Sequence, residues 1–149
     1  MGIRRLVPIL TGVLLAASCS LDVTDDVGSI VLYLEVDKGT LPQDESLTVT
    51  VTARNVGYSR LTLTGPSDCL LFIEILDSDG LIVHSSTTAC VGETVTEELE
   101  AGADKVQSFV WNGTTQAGSR APSGLYAVRG IARVTGDAYR GPSLTIAVE

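Results

Sequence analysis

The stretch Phe109-Val-Trp-Asn-Gly-Thr-Thr-Gln-Ala-Gly-Ser-Arg-Ala-Pro-Ser-Gly-Leu-Tyr-Ala-Val-Arg-Gly-Ile131 decides the fold of this chain. It contains the only Trp of the sequence, one of its two Phe and one of its four Tyr. Apolar ends around a centre rich in Gly, Ser and Thr are typical of a strand, a loop and a second strand. We therefore predict a β-hairpin whose Trp111 and Tyr126 close one end of a β-sandwich, with the Tyr hydroxyl bonded to backbone at the corner.

Alternation in the rest of the chain predicts the same class of structure. Leu47, Val49, Val51 and Ala53 point to one face, and the Ser and Thr residues between them point to the other. One buried face and one wetted face indicate an antiparallel sheet, and the β-branched run disfavours a helix. Turn signals such as Asp77–Gly80 separate about eight strands. We predict an all-β, immunoglobulin-like antiparallel β-sandwich of about eight strands.

Bulk composition supports a single folded domain. The chain has 149 residues, of which 44% are apolar, enough to build one core. Its formal net charge is −8 and its pI is about 4.5. Because an acidic surface repels phosphate groups, nucleic acid and anionic lipid head groups are disfavoured as binding partners.

The first residues carry the pattern of an export signal. Arg4 and Arg5 precede the apolar stretch Leu6–Ala17. This stretch is shorter than the roughly 20 residues that cross a bilayer as a helix. Residues 1–18 are therefore predicted to be a removable signal peptide.

The segment Ala16-Ala17-Ser18-Cys19 resembles a bacterial lipobox, in which the Cys becomes the lipidated N-terminus. The resemblance implies a lipid anchor on Cys19. The polar residues that follow predict a tether over residues 19–28, and the strand pattern predicts a β-domain over residues 29–149. Ordinary signal cleavage before an unmodified Cys is the alternative. Because Ser20 rather than Asp follows, the resemblance implies a cell-envelope location, on the outer membrane facing the periplasm if the cell is Gram-negative.

The cysteines are consistent with this interpretation. The chain has three, Cys19, Cys69 and Cys90. Exported proteins tend to pair their thiols, and an odd number calls for an explanation. If Cys19 carries lipid, Cys69 and Cys90 remain as a predicted disulfide; two free buried thiols are the alternative. His84 is the only His and no Cys-x-x-Cys occurs, so no metal site and no cofactor are expected.

Three segments resemble the BsuPI-type proteinase inhibitor family. They are the strand Leu47–Asn55, the strand and turn Ile73–Gly80, and Trp111 followed by Gly118 and Gly124-Leu125-Tyr126. The last of them is also similar to the Ig-like domain of flagellar hook-capping proteins. The resemblance covers roughly residues 30–148. It implies an Ig-like fold, and it makes proteinase inhibition one of the expected functions.

No arrangement of side chains in the sequence indicates an enzyme. His84 is the sole candidate for a general base at neutral pH, and the neighbouring Ser85 and Asp77 are of types common in turns. No Gly-x-Ser-x-Gly elbow occurs. Asp77–Gly80 begins like a calcium loop but lacks the later carboxylate, so we interpret it as a hairpin turn. A non-catalytic protein is predicted.

Two loops are predicted to contact a partner. The first covers residues 113–123, and its candidate contact residues are Gln116, Ser119, Arg120 and Pro122. The second covers residues 85–102 and includes an acidic, solvated stretch with Glu93, Glu97, Glu98 and Glu100. Unpaired backbone groups at sheet edges are a further binding route. The expected partner is another envelope protein or, alternatively, a protease inhibited through an exposed loop at residues 116–122.

Overall fold

The computed structural model describes residues 30–149. The predicted signal peptide, the tether and Cys19 lie outside the described residues. Within residues 30–149 the chain forms ten strands and a short 3₁₀ helix, Ser86–Ala89. The strands are β1 (Ile30–Val36), β2 (Thr40–Leu41), β3 (Leu47–Asn55), β4 (Leu61–Pro66), β5 (Leu71–Leu76), β6 (Ile82–Ser85), β7 (Thr94–Leu99), β8 (Asp104–Trp111), β9 (Gly124–Val134) and β10 (Asp137–Val148).

The strands form two sheets that pack face to face. The smaller sheet has the order β1-β3-β8. In the larger sheet the order is β2-β10-β9-β4-β7, and β5 pairs with both β9 and β6. The pairs are antiparallel, apart from the short contact of β2 with β10. The predicted all-β, immunoglobulin-like sandwich is confirmed, with ten strands instead of about eight.

The core lies between the two sheets, where the alternating apolar residues meet. On β3, Leu47, Val49, Val51 and Ala53 have no exposed surface, whereas the Thr residues between them are partly exposed. This pattern follows from the two-residue period of a strand. The β3 side chains join a cluster of buried residues from the larger sheet: Leu61, Leu63, Leu71, Ile73, Ile75, Tyr126 and Val128.

Strand β5 is buried along its whole length, as its nearly continuous apolar sequence predicts. The exception to its apolar character is Glu74, which is 6% exposed. Its carboxylate accepts a hydrogen bond from Arg129 Nε at 2.7 Å and lies 2.5 Å from Nη2 of the same guanidinium. A carboxylate removed from water needs such a partner, because its desolvation otherwise costs several kcal/mol.

Residues 109–131, which were predicted to form a β-hairpin, do not form one, so that prediction is wrong. Strand β8 pairs with β3, from Leu47↔Trp111 to Arg54↔Asp104, whereas β9 belongs to the other sheet. The residues between them, 112–123, cross from one sheet to the other. A connection of this length lacks the tight turn that forces two strands to pair. The pairing is therefore set by burial against β3.

Two strands were missed by the sequence prediction. Strand β2 is only two residues long and runs parallel to the end of β10. Strand β7 lies within the predicted loop 85–102 and pairs with β4. Residues 85–102 are therefore not one loop but a 3₁₀ helix, a short connection and a strand.

Candidate functional site

The segment that crosses between the sheets, residues 113–123, is called the end loop below. Its tip, residues 116–119, is exposed. Four backbone hydrogen bonds of 2.8–2.9 Å hold it: Thr115 N to Ser119 O, Gly118 N to Thr115 O, Ala121 N to Gly113 O, and Gln116 N to Val83 O. The last of these bonds ties the loop to β6, so the exposed tip is anchored on the sandwich.

Two aromatic residues anchor the base of the end loop. Trp111 is 1% exposed, and its indole Nε1 donates to Thr114 O at 2.8 Å. The Tyr126 hydroxyl donates to Pro122 O at 2.8 Å, and the two rings lie 6.1 Å apart. The predicted structural roles of Trp111 and Tyr126 agree with these contacts. Burial, with a smaller effect from the carboxylate of Asp77, raises the pKa of Tyr126, so its hydroxyl stays a donor at neutral pH.

The four candidate contact residues fall into two groups. Gln116 and Ser119 lie at the exposed tip, and Ser119 Oγ lies 3.0 Å from Thr115 Oγ1. Arg120 is half-buried, and its guanidinium donates to Asn112 O and to Pro42 O. Pro122 is exposed, although its carbonyl is bonded to Tyr126. Arg120 and Pro122 therefore support the loop, and Gln116 and Ser119 are free to face a partner.

The predicted disulfide between Cys69 and Cys90 is present. It links the start of β5 to the end of the 3₁₀ helix. Next to it, the carboxylate of Asp68 accepts hydrogen bonds from Val91 N at 3.0 Å and from Gly92 N at 3.1 Å. These bonds lower the pKa of Asp68, which stays ionised at neutral pH.

The acidic stretch is partly neutralised within the fold, since two cations face its four Glu residues. Lys105 donates to Glu97 at 2.6 Å across β8 and β7. Arg60 contacts both Glu98 and Glu100, at 3.0 and 2.8 Å. Among residues 30–149, no group of three or more His, Cys, Asp or Glu side chains is placed to hold a metal ion.

A groove of about 450 Å³ lies beside the disulfide, and is called the disulfide groove below. Strand β8 forms one wall and the 3₁₀ helix the other, with Ile73 and His84 between them. The residues that line it are Asp68, Cys69, Ile73, His84, Ser86, Thr88, Ala89, Gln107, Ser108, Phe109 and Val110. Six of these eleven residues have polar side chains and five are apolar, so the groove offers both hydrogen-bonding groups and apolar contact.

The electrostatics of the disulfide groove are simple. Burial lowers the pKa of His84, because desolvation disfavours the imidazolium, so the ring is neutral at neutral pH. Asp68 is then the one ionised side chain of the lining, in which no Lys or Arg takes part. The groove therefore carries a local negative charge.

The residues near His84 serve the fold. Ser85 Oγ lies 2.8 Å from Thr87 Oγ1 and caps the 3₁₀ helix. Asp77 Oδ1 accepts from Asp79 N and Leu81 N, which makes Asp77–Gly80 the predicted hairpin turn. His84 itself packs 6.2 Å from the ring of Trp111.

The disulfide groove was missed by sequence reasoning. Its walls come from β5, β6, the 3₁₀ helix and β8, which are distant in the chain. The sequence prediction paired β8 with β9, whereas β8 is an edge strand of the smaller sheet. An open groove beside β8 was therefore not expected. The available signal was the predicted disulfide, which already placed residue 69 beside residue 90.

No family model matches the chain, and no curated protein sequence matches it. Solved structures share its fold at low identity. The sporulation control protein Spo0M of Bacillus subtilis matches with a TM-score of 0.55 at 13% identity, over 83% of this chain and 50% of that one. PorU of Porphyromonas gingivalis matches with a TM-score of 0.52 at 19% identity, over 83% and 10% of the two chains.

The alkylpurine DNA glycosylase AlkC of Pseudomonas fluorescens gives a TM-score of 0.51 at 13% identity, over 82% of this chain and 31% of the glycosylase. At these identities the similarity concerns the fold alone. The chain spans half or less of each of these three proteins. No helix among the described residues is long and apolar enough to cross a membrane.

Proposed function

We propose that this protein is a non-catalytic interaction module of the bacterial cell envelope, anchored by lipid on Cys19, which binds another envelope protein through the end loop. The observation that carries the proposal is the exposed tip at residues 116–119, held by backbone bonds to itself and to Val83. A loop that is already ordered loses little conformational freedom on binding, so more of its contact energy becomes affinity.

The charge of the protein supports a protein partner. The net charge of −8 disfavours nucleic acid and anionic lipid, whereas backbone and amide groups at the tip suit hydrogen bonding to a polypeptide. Gln116 and Ser119 have side chains that both donate and accept hydrogen bonds. An interface centred on them would be polar at its rim.

A pull-down from envelope extract tests the proposal. The full chain, tagged at its C-terminus, is compared with the double variant Gln116→Ala, Ser119→Ala, which leaves the anchors at Trp111 and Tyr126 intact. Tyr58→Ala is the matched control, because Tyr58 is 93% exposed and lies away from the end loop. It follows the last residue of β3, whereas Trp111 pairs with the first. We expect the tip variant to lose a partner that the control retains. Equal recovery by both would refute the end loop as the contact.

Proteinase inhibition is a second candidate that the same loop favours. An inhibitor presents an exposed, rigid loop to a protease cleft, and the end loop has both properties. Titration of the purified protein against a panel of serine, cysteine and metalloproteases decides between the candidates. Absence of inhibition at micromolar protein would remove this one.

The lipid anchor is tested separately. Mass spectrometry of the native N-terminus should find an acylated Cys19 as the first residue. Cys19→Ser should move the protein from the membrane fraction to the soluble fraction. An unmodified N-terminus in the membrane fraction would contradict the proposal.

A further inference from the structure

Strand β8 is an open edge of the smaller sheet. In the described part of the chain it pairs with β3 on one side and with no strand on the other. Asn55 N donates to Ala103 O, and this bond sets which residues of β3 form backbone hydrogen bonds with β8. Backbone hydrogen bonding alternates along an antiparallel strand. The odd-numbered residues of β8 therefore bond to β3, and the even-numbered residues direct their N–H and C=O groups away from β3. Val106, Ser108 and Val110 therefore offer unpaired backbone groups.

The disulfide groove opens directly beside this edge. At one end the gap between the sheets is closed by Gln107, whose Nε2 donates to Asp68 O at 2.9 Å, and by the Lys105–Glu97 pair. Next along β8, Ser108, Phe109 and Val110 line the cavity. Val110 is 70% exposed even though it belongs to a strand. An apolar edge of this kind, left without a partner, is a template for another strand.

We propose that β8 and the disulfide groove bind an extended segment of another protein by strand addition, with one apolar side chain in the groove and a Lys or Arg beside Asp68. This inference rests on the proposed binding function and names its partner class. The partner segment pairs with the outward groups of Ser108 and Val110, so the main chain supplies the affinity and the groove supplies the specificity.

Charge complementarity selects a basic segment. Asp68 keeps its negative charge because two backbone N–H groups bind it, and no cation of the lining balances it. Both Lys residues in the described range are already paired, Lys105 with Glu97 and Lys38 with Glu45. The whole chain carries a net charge of −8, which also attracts a cationic segment. The cavity of about 450 Å³ accommodates an aromatic or branched side chain.

The test uses the full chain purified in detergent and a synthetic peptide, acetyl-Lys-Thr-Val-Thr-Phe-Thr-Val-Thr-Lys-amide, followed by fluorescence anisotropy. Three control peptides carry Ala in place of Phe, Glu in place of both Lys, or methyl groups on alternate backbone amides. Each control should weaken binding by about tenfold or more, since each removes one of the three recognition elements. Failure of the parent peptide to bind, or equal binding of the N-methylated peptide, would overturn strand addition.

Two variants locate the site on the protein. Val110→Pro removes one outward N–H that the fold does not use, whereas Val110→Thr keeps the N–H and the branched side chain. Ala89→Trp fills the groove from its exposed wall. We expect Val110→Pro and Ala89→Trp to lose binding by about tenfold, and Val110→Thr to bind like the native protein. Native binding by both blocking variants would place the peptide elsewhere and refute the inference.

The same variants separate this inference from the proposed function. If an envelope partner is pulled down equally by the native protein and by each of the two blocking variants, Val110→Pro and Ala89→Trp, the module binds proteins but not through β8. If the peptide binds at β8 while no envelope partner is recovered, the groove is confirmed and the end-loop function fails.

Discussion

Tyr126 joins the core to the end loop through a single hydroxyl. Its ring is buried, and its hydroxyl donates to Pro122 O at 2.8 Å. Tyr126→Phe keeps the ring and removes this bond, so the free energy of unfolding should fall by about 1 kcal/mol. Urea unfolding followed by Trp111 fluorescence measures the change. Tyr139→Phe is the control because Tyr139 is 42% exposed, and an equal loss in both variants would contradict the argument.

Glu74 and Arg129 are the charged pair whose removal should matter most to stability. Glu74→Leu leaves the Arg129 guanidinium, 23% exposed, without its carboxylate, and should cost about 3 kcal/mol of unfolding free energy. Adding Arg129→Met should restore most of the loss, because no unpaired charge remains. Arg60→Met removes two exposed ion pairs, with Glu98 and Glu100, and should cost less than about 1 kcal/mol. Chemical denaturation decides, and a double variant as unstable as Glu74→Leu would refute the pairing argument.

At the scale of elements, glycine geometry holds the end loop in place. Gly113 and Gly118 both have positive φ, at 74° and 82°. A Cβ on Gly118 would meet open space, whereas one on Gly113 would lie 2.3 Å from Arg120 Nη1. Gly118→Ala should therefore cost only the backbone strain of about 1 kcal/mol, and Gly113→Ala distinctly more, since Arg120 must also move. Thermal unfolding of the pair checks this; equal destabilisation would contradict the role of Arg120.

Local sequence predicts strands well but not their partners. Burial on β3 follows the alternation because neighbouring residues set it. Strand β7 was hidden because Glu97, on the same side as Val95 and Leu99, breaks the apolar pattern, and only Lys105 on a distant strand makes that position acceptable. The pairing of β8 with β3 likewise depends on contacts between residues far apart in sequence. The end loop could be predicted from its turn residues, and the groove could not.

At the scale of the whole molecule, the sandwich is closed at both ends and open at one side. At one end, Asn55 is fully buried, and its Nδ2 donates to Ser59 O and Leu99 O. At the other end, Trp111 and the end loop cover the core. Between them lies the disulfide groove, beside the unpaired edge of β8. The candidate binding surfaces therefore lie on the end loop and on the open side, where neither cap covers them.

The disulfide acts on the unfolded chain as a whole as well as on the groove wall. It joins Cys69 to Cys90 across a separation of 21 residues, a segment that includes β5 and β6. Closing a loop of that length lowers the entropy of the unfolded state, which corresponds to about 3 kcal/mol of stability in the chain-entropy model. Denaturation of the native protein with and without reductant should show this difference.

Reduction is a cleaner comparison than replacing both Cys by Ser, because Cys69 is 3% exposed and a buried hydroxyl there would add its own cost. Reduced protein that remains folded should also bind the extended peptide more weakly, since the 3₁₀ helix that forms one groove wall is no longer tied to β5. A stability loss below about 1 kcal/mol would mean that the unfolded chain is already compact around this segment, and that the bridge serves the groove more than the fold.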